Sequence, residues 1–120
     1  MAAVYVANIV INSGADFTQS FSLEGNDSGS AYDLSGYNVN AQFRKWAGSS
    51  TSVSFAATVT NPPTSGQIFL SLPAESTKSL KAGRYVYDIL ITDNNINSQT
   101  YGIKRRVIEG MVLVREGVTR

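Results

Sequence analysis

The chain has 120 residues, with 10 basic and 9 acidic side chains, a formal net charge of +1, no cysteine and no histidine. That length suits one domain over residues 1–120, long enough to bury a core without external staples. Without cysteine there is no disulfide or thiolate chemistry, without histidine the commonest general base and metal ligand are missing, and the balanced charge argues against nucleic acid or a membrane surface as partner.

Met1-Ala2-Ala3-Val4-Tyr5 has neither a basic n-region nor a long apolar h-region, and no later run approaches the ~20 apolar residues of a membrane helix. The expectation is a product made in the cytoplasm without a cleaved leader. Val4 to Asn12 is a β-branched run closed by the turn signal Asn12-Ser13-Gly14. From Asp16 to Leu23, Phe17, Gln19, Phe21 and Leu23 alternate with Asp16, Thr18, Ser20 and Ser22, and Gln19 alone interrupts the apolar side. Glu24 to Ser30 consists of turn formers and charged residues and reads as an exposed loop.

Asp33-Leu34-Ser35-Gly36-Tyr37 turns the chain into a third strand, Tyr37 to Trp46. Tyr37, Val39, Ala41 and Phe43 share its apolar face, and Asn38, Asn40, Gln42, Arg44 and Trp46 its polar one. Val53, Phe55, Ala57 and Val59 give a fourth alternating strand, ended by the rigid Asn61-Pro62-Pro63 turn. Ile68, Leu70 and Leu72 are the buried side of a fifth. Pro73 to Lys81 holds the one helical stretch, a short turn near 74–80, with Pro73 in its first turn and Leu80 tucked under the sheet.

Leu80 to Asp93 is the longest clean period-2 segment. Tyr85, Tyr87, Ile89 and Ile91 fall on one face, and Arg84, Val86, Asp88, Leu90 and Thr92 on the other, so a central strand partly covered on both faces is expected. Gly83 is expected at positive φ, followed by Tyr85 as a buried tyrosine corner, with Tyr87 where an immunoglobulin domain carries its inter-sheet cysteine. In the last strand, Arg105 to Arg115, Val107, Met111 and Leu113 are placed on one side, and Ile108, Val112 and Val114 on the other. Gly110 marks a bulge or a close neighbour. About seven short strands, with turn signals roughly every dozen residues, predict an all-β immunoglobulin-like antiparallel sandwich.

The nine acidic residues show no catalytic spacing, and neither cysteine nor histidine is present to act as nucleophile or base. Enzymatic activity is therefore not expected. Asn26-Asp27 with Asp33, and Asp93-Asn94-Asn95-Asn97, offer oxygens that calcium could accept, but the same residues are ordinary turn formers; no metal and no cofactor is expected. Lys104-Arg105-Arg106 is too thin for a nucleic-acid patch and reads as a solvated edge or an interface. Trp46 has three readings: an interface anchor, a sugar-stacking platform, or a ring lying over its own sheet edge. The polar face of the third strand, with the tail residues Val118, Thr119 and Arg120, is the expected working surface.

Three blocks occur in order: Asp33-Leu34-Ser35-Gly36-Tyr37 with Ala41-Gln42-Phe43-Arg44-Lys45; Gly66-Gln67-Ile68-Phe69-Leu70-Ser71-Leu72 with Leu80-Lys81-Ala82-Gly83-Arg84-Tyr85-Val86-Tyr87-Asp88-Ile89; and Arg106-Val107-Ile108-Glu109-Gly110-Met111-Val112-Leu113-Val114 with Val118-Thr119-Arg120. The series resembles small virion structural proteins of tailed phages and is similar to the N-terminal domain of phage baseplate upper proteins. The start, Tyr5-Val6-Ala7-Asn8-Ile9-Val10-Ile11, is similar to versions in contractile-tailed phages of marine cyanobacteria. The resemblance implies an immunoglobulin-like attachment or decoration module of the virion, without catalysis. Its partners would be other particle proteins, copies of itself included, in a capsid decoration, neck, tail or fibre-adaptor position. Two alternatives stay open: a host-surface carbohydrate-binding module using Trp46 and Tyr32, and a chaperone or regulator that caps a strand edge.

Overall fold

Alternating segments rich in β-branched and aromatic residues form the strands of the computed structural model, which describes residues 5–23 and 32–118. The predicted loop at Glu24 to Ser30, the start Met1 to Val4, and the tail residues Thr119 and Arg120 lie outside the described residues. In chain order the strands are β1 (Tyr5–Val6), β2 (Ile9–Asn12), β3 (Phe17–Ser22), β4 (Tyr37–Arg44), β5 (Val53–Ser54), β6 (Ala56–Val59), β7 (Gln67–Leu72), β8 (Gly83–Asp93) and β9 (Lys104–Arg115). β1 with β2, and β5 with β6, are single alternating runs broken by an irregular step, which reconciles nine strands with the seven expected segments.

The larger sheet has the order β1-β9-β8-β4-β5, with β2 also on β9, and the smaller has the order β3-β7-β6. These are the GFCC′ and BED arrangements of an immunoglobulin-like sandwich, with β8 as strand F. One edge departs from antiparallel pairing: β1 and β2 both run parallel to β9. The remaining ladders are antiparallel.

The burial follows the period-2 reading where strands are long. Tyr87, Ile89 and Ile91 are buried on β8, Ala41 and Phe43 on β4, and Ile68, Leu70 and Leu72 on β7. Gln19, at an inward position of β3, is exposed because that strand is the edge of its sheet. On β9 the predicted faces need correction. Ile89 pairs with Ile108 but Leu90 with Arg106, so Val107 is an inserted residue, and both Val107 and Ile108 turn inward. The bulge therefore sits at Val107. Gly110 is instead a close approach, since a Cβ there would lie 2.1 Å from the Ala7 carbonyl oxygen.

That approach belongs to the step between β1 and β2. Ala7 donates its N–H to the Glu109 carbonyl at 3.0 Å, and its own carbonyl turns inward over Gly110. Tyr87, directly opposite Gly110, donates its hydroxyl to that carbonyl at 2.5 Å. A backbone acceptor that would be orphaned by the break is thus satisfied from below.

The run from Val53 to Val59 changes sheets at Phe55. β5 pairs with β4, β6 pairs with β7, and the Phe55 N–H between them donates to the Ala41 carbonyl at 3.0 Å. The Phe55 ring is buried, with centroids 5.7 Å from Phe17, 5.1 Å from Phe43 and 6.3 Å from Tyr87. Those three rings come from both sheets.

At the start of β8 the expected corner is present. Gly83 has φ +143°, a conformation L side chains rarely adopt. Tyr85 donates its hydroxyl to the Lys81 carbonyl at 2.6 Å and meets Phe43 edge-on at 5.4 Å. Its ring is half-buried rather than buried, with Lys45 Nζ 4.9 Å from the centroid. The prolines form a turn of 3-10 helix, Pro63–Ser65, and the single α-helical turn is α1 (Ala74–Thr77). Pro73 precedes α1 as its N-cap residue, and the first free N–H, of Ala74, is taken by Asp16 Oδ1 at 2.7 Å. Thr77, fully buried, donates to the Ala15 carbonyl at 2.8 Å, which pins α1 to the β2–β3 turn.

Phe55→Ala is expected to remove about 3–5 kcal/mol, as for other buried aromatics, measured by urea unfolding. Gly110→Ala is expected to act locally, displacing Ala7 and accelerating amide exchange across β1 while β8 and β4 keep their protection. Unchanged exchange at Ala7 would show that the close approach is dispensable.

Candidate functional site

The face of β4 predicted to work outward does point outward, and the register shows what it joins. Asn38, Asn40 and Gln42 are exposed and Arg44 is half-buried. Across β8 they sit opposite Thr92, Leu90, Asp88 and Val86, and across β9 these meet Lys104, Arg106, Glu109 and Met111. Among the described residues no second layer covers this face. The expected partial cover over Val86 and Leu90 comes only from neighbouring side chains, and Val86 stays 37% exposed.

Two kinds of surface lie side by side. The row Gln42, Asp88, Glu109 sets two carboxylates on adjacent strands, where like charges repel. Arg106 spans them, Nε at 3.3 Å from Asp88 and Nη1 at 3.3 Å from Glu109. Being exposed, these pairs add little stability; the one guanidinium offsets one of the two carboxylate charges and eases their repulsion. Next to them is an apolar stripe. Val86 faces Met111, and Arg84 faces Leu113, which in turn faces Val10. Met111, Leu113 and Val10 are 43%, 40% and 49% exposed, and a contiguous apolar area with a polar rim marks an interaction site more often than a solvated face.

Trp46 stands at the end of that stripe. β4 ends at Arg44, so strand parity does not govern Trp46; the turn after it does. Arg44 Nη1 donates to the Ser49 carbonyl at 2.6 Å, Nη2 donates to Gln42 Oε1 at 3.1 Å, and the Ser49 N–H donates to the Trp46 carbonyl at 3.0 Å. Gln42 and Arg44, predicted as contact residues, thus also hold the turn that presents the tryptophan. The indole lies beside Gly48 and remains 61% exposed. Between Trp46 and the strands runs an open groove of about 590 Å³, bordered by Lys45, Val86, Arg106 and Met111.

Other predicted sites separate. Tyr32 packs edge-on against Tyr37 at 6.1 Å, at the opposite end of β4 from Trp46. At ~3.3 Å per residue that is roughly 23 Å of strand, so the two aromatics form no common platform. Val118 is 95% exposed, away from any strand, whereas Thr119 and Arg120 lie outside the described residues. The basic run divides: Arg106 is ion-paired, Arg105 half-buried, and Lys104 exposed. The cluster of Asp88, Glu109 and Arg106 was not legible in the sequence, because the bulge at Val107 decides which residues of β9 meet β8.

The calcium-like stretch at Asp93 is a turn. Asp93 accepts from Ser98 Oγ at 2.6 Å, from Thr100 Oγ1, and from the Asn95 N–H at 2.9 Å. These hydrogen bonds, Ser98's first, hold its carboxyl below the usual aspartate range. Asp33 is lowered in the same way by Ser35. Asn26 and Asp27 lie outside the described residues. Tyr87 moves the other way, burial pushing its phenol up to about 12.

What the fold and this face define is an immunoglobulin-like β-sandwich with one broad exposed sheet surface. Compared with known proteins, the chain matches no family model and no curated protein sequence.

Two measurements follow from the titrating groups. Folded and unfolded states both hold the tyrosine proton below pH 10; between about 10 and 12 the folded state alone holds it at Tyr87. Stability is therefore lost as pH rises through that window, and Tyr87→Phe is expected to flatten the alkaline limb while lowering stability at neutral pH by orphaning the Ala7 carbonyl. With the Asp93 oxygens already occupied by turn donors, EDTA or millimolar calcium is expected to leave the melting temperature unchanged. A reproducible rise with calcium would reveal a native-state site.

Proposed function

We propose that the chain is a non-enzymatic structural module of a tailed-phage particle, docking on other virion proteins. The observation that carries this reading is the uncovered outer face of the larger sheet. There, amide side chains, an ion-paired charge cluster and the exposed stripe of Val86, Met111, Leu113 and Val10 adjoin Trp46. Such a surface has the makings of a protein interface, with an aromatic anchor, an apolar centre and a polar rim. The ordered sequence blocks that resemble phage virion proteins supply the particle context. The acidic pair Asp88 and Glu109 does not favour catalysis, since both carboxylates are exposed and engaged by Arg106.

In this reading the protein resides in the virion, and its site in the head, neck or tail is set by which particle protein fits the stripe. A host-glycan reading draws on the exposed Trp46 ring; it has lost Tyr32, which packs elsewhere.

Trp46→Ala combined with deletion of residues 118–120 is expected to leave the monomer folded by circular dichroism and to abolish its incorporation into particles, scored by mass spectrometry of purified virions. Incorporation at wild-type copy number would move the working surface off this face. Binding of the monomer on a glycan array, lost in Trp46→Ala, would favour the carbohydrate module.

A further inference from the structure

β3 is an edge without the usual protections. In the smaller sheet it pairs with β7 on one side and has no strand on the other among the described residues. In sheets of the ABED type the first strand of the domain covers this edge. Here both N-terminal strands have gone to the other sheet, beside β9. Exposed edges are ordinarily blunted by charge, proline, a bulge or shortness. From Phe17 to Ser22 the strand is Phe-Thr-Gln-Ser-Phe-Ser, six residues in unbroken register, with no charge and no proline.

The other edges are poorer templates. β5 has two residues, and the part of β4 that it leaves unpaired runs only from Tyr37 to Asn40. β6 has four and ends near the Pro62-Pro63 turn. β1 and β2 are separated by Ala7 and Asn8, and the Asn8 side-chain oxygen takes the Met111 N–H at 3.1 Å.

Gln19 says what would cover β3. It occupies an inward position between Phe17 and Phe21, where an apolar residue would complete the face, yet it is exposed. Its Nε2 reaches the Ser20 carbonyl at 3.5 Å, the long limit of a hydrogen bond. A carboxamide is donor and acceptor at once, so two of them facing across a two-fold axis satisfy each other. Self-pairing also brings a strand against its own charges, and an uncharged strand alone escapes that repulsion.

We propose that β3 pairs antiparallel with β3 of a second copy of this chain, about a two-fold axis through Gln19. The axis stands perpendicular to the sheet and so keeps both cores on one side. Gln19 then lies opposite Gln19 of the second copy, Phe17 opposite Phe21, and Thr18 opposite Ser20. The two three-stranded sheets become one of six strands, and each inward aromatic gains a cross-strand aromatic neighbour. This pairing stands whether or not the particle reading holds, because it uses the smaller sheet and leaves the outer face of the larger one free.

The test is sedimentation equilibrium of the full chain across a concentration series. Wild type is expected to dimerise, and Gln19→Lys, which sets two cations face to face, to weaken self-association roughly tenfold or more with an unchanged melting curve. Mixing Gln19→Lys with Gln19→Glu is expected to restore the dimer. Since the chain has no cysteine, Gln19→Cys provides a single thiol that should oxidise to a disulfide-linked dimer, whereas Thr18→Cys should not. A wild-type chain that stays monomeric throughout, a dimer indifferent to Gln19→Lys, or equal cross-linking at positions 18 and 19 would each overturn the proposal.

Discussion

Everything in this sandwich turns on one buried ring changing sheets. Phe55 lies between β5 and β6, so the chain on either side of it belongs to different layers, and its ring meets Phe17 from one layer and Phe43 and Tyr87 from the other. A sandwich of this size needs its two faces fixed in relative position, and here an aromatic cluster does so without a cross-link. Each contact is worth on the order of 1 kcal/mol beyond the area it buries, and four rings share them.

Tyr87 extends that cluster to the edge of the larger sheet. An immunoglobulin domain with an inter-sheet disulfide at this position ties one sheet to the other. A tyrosine there ties three things, because its ring faces Phe55, its backbone is in the central ladder, and its hydroxyl reaches the Ala7 carbonyl. The glycine opposite makes this possible by leaving room for Ala7 to approach. Break, glycine and tyrosine are thus one device, and the parallel N-terminal strands hang on it.

The outer face is arranged by the same ladder. Because β8 is central, its outward side chains set the rows into which β4 and β9 must fit, and the bulge at Val107 brings Arg106 beside Asp88 and Glu109. There the Arg106 guanidinium eases the repulsion between the two carboxylates that the register sets side by side. The core-facing and outward-facing roles are therefore decided together, by one register.

What the sequence determined by itself is which side of each long strand is buried. Tyr85, Tyr87, Ile89 and Ile91, or Ile68, Leu70 and Leu72, alternate with period two, and a slip of one residue would expose the whole apolar set, so local pattern suffices. It also specified the positive φ at Gly83 and the corner bond of Tyr85, which are contained within a few residues of chain. The tertiary structure decided what depends on distant partners. Val53 to Val59 reads as one strand because its alternation is unbroken, yet it divides between sheets where Ala41 offers a carbonyl to Phe55. Val107 carries the parity of Met111 and Leu113 but is turned inward by a bulge that only pairing with β8 defines. Trp46 has the parity of the outward residues of β4, but its place is set by the Arg44–Ser49 bond after the strand has ended. Strand pairing joins residues far apart in sequence, and nothing in a local period encodes which backbone will supply the neighbouring ladder.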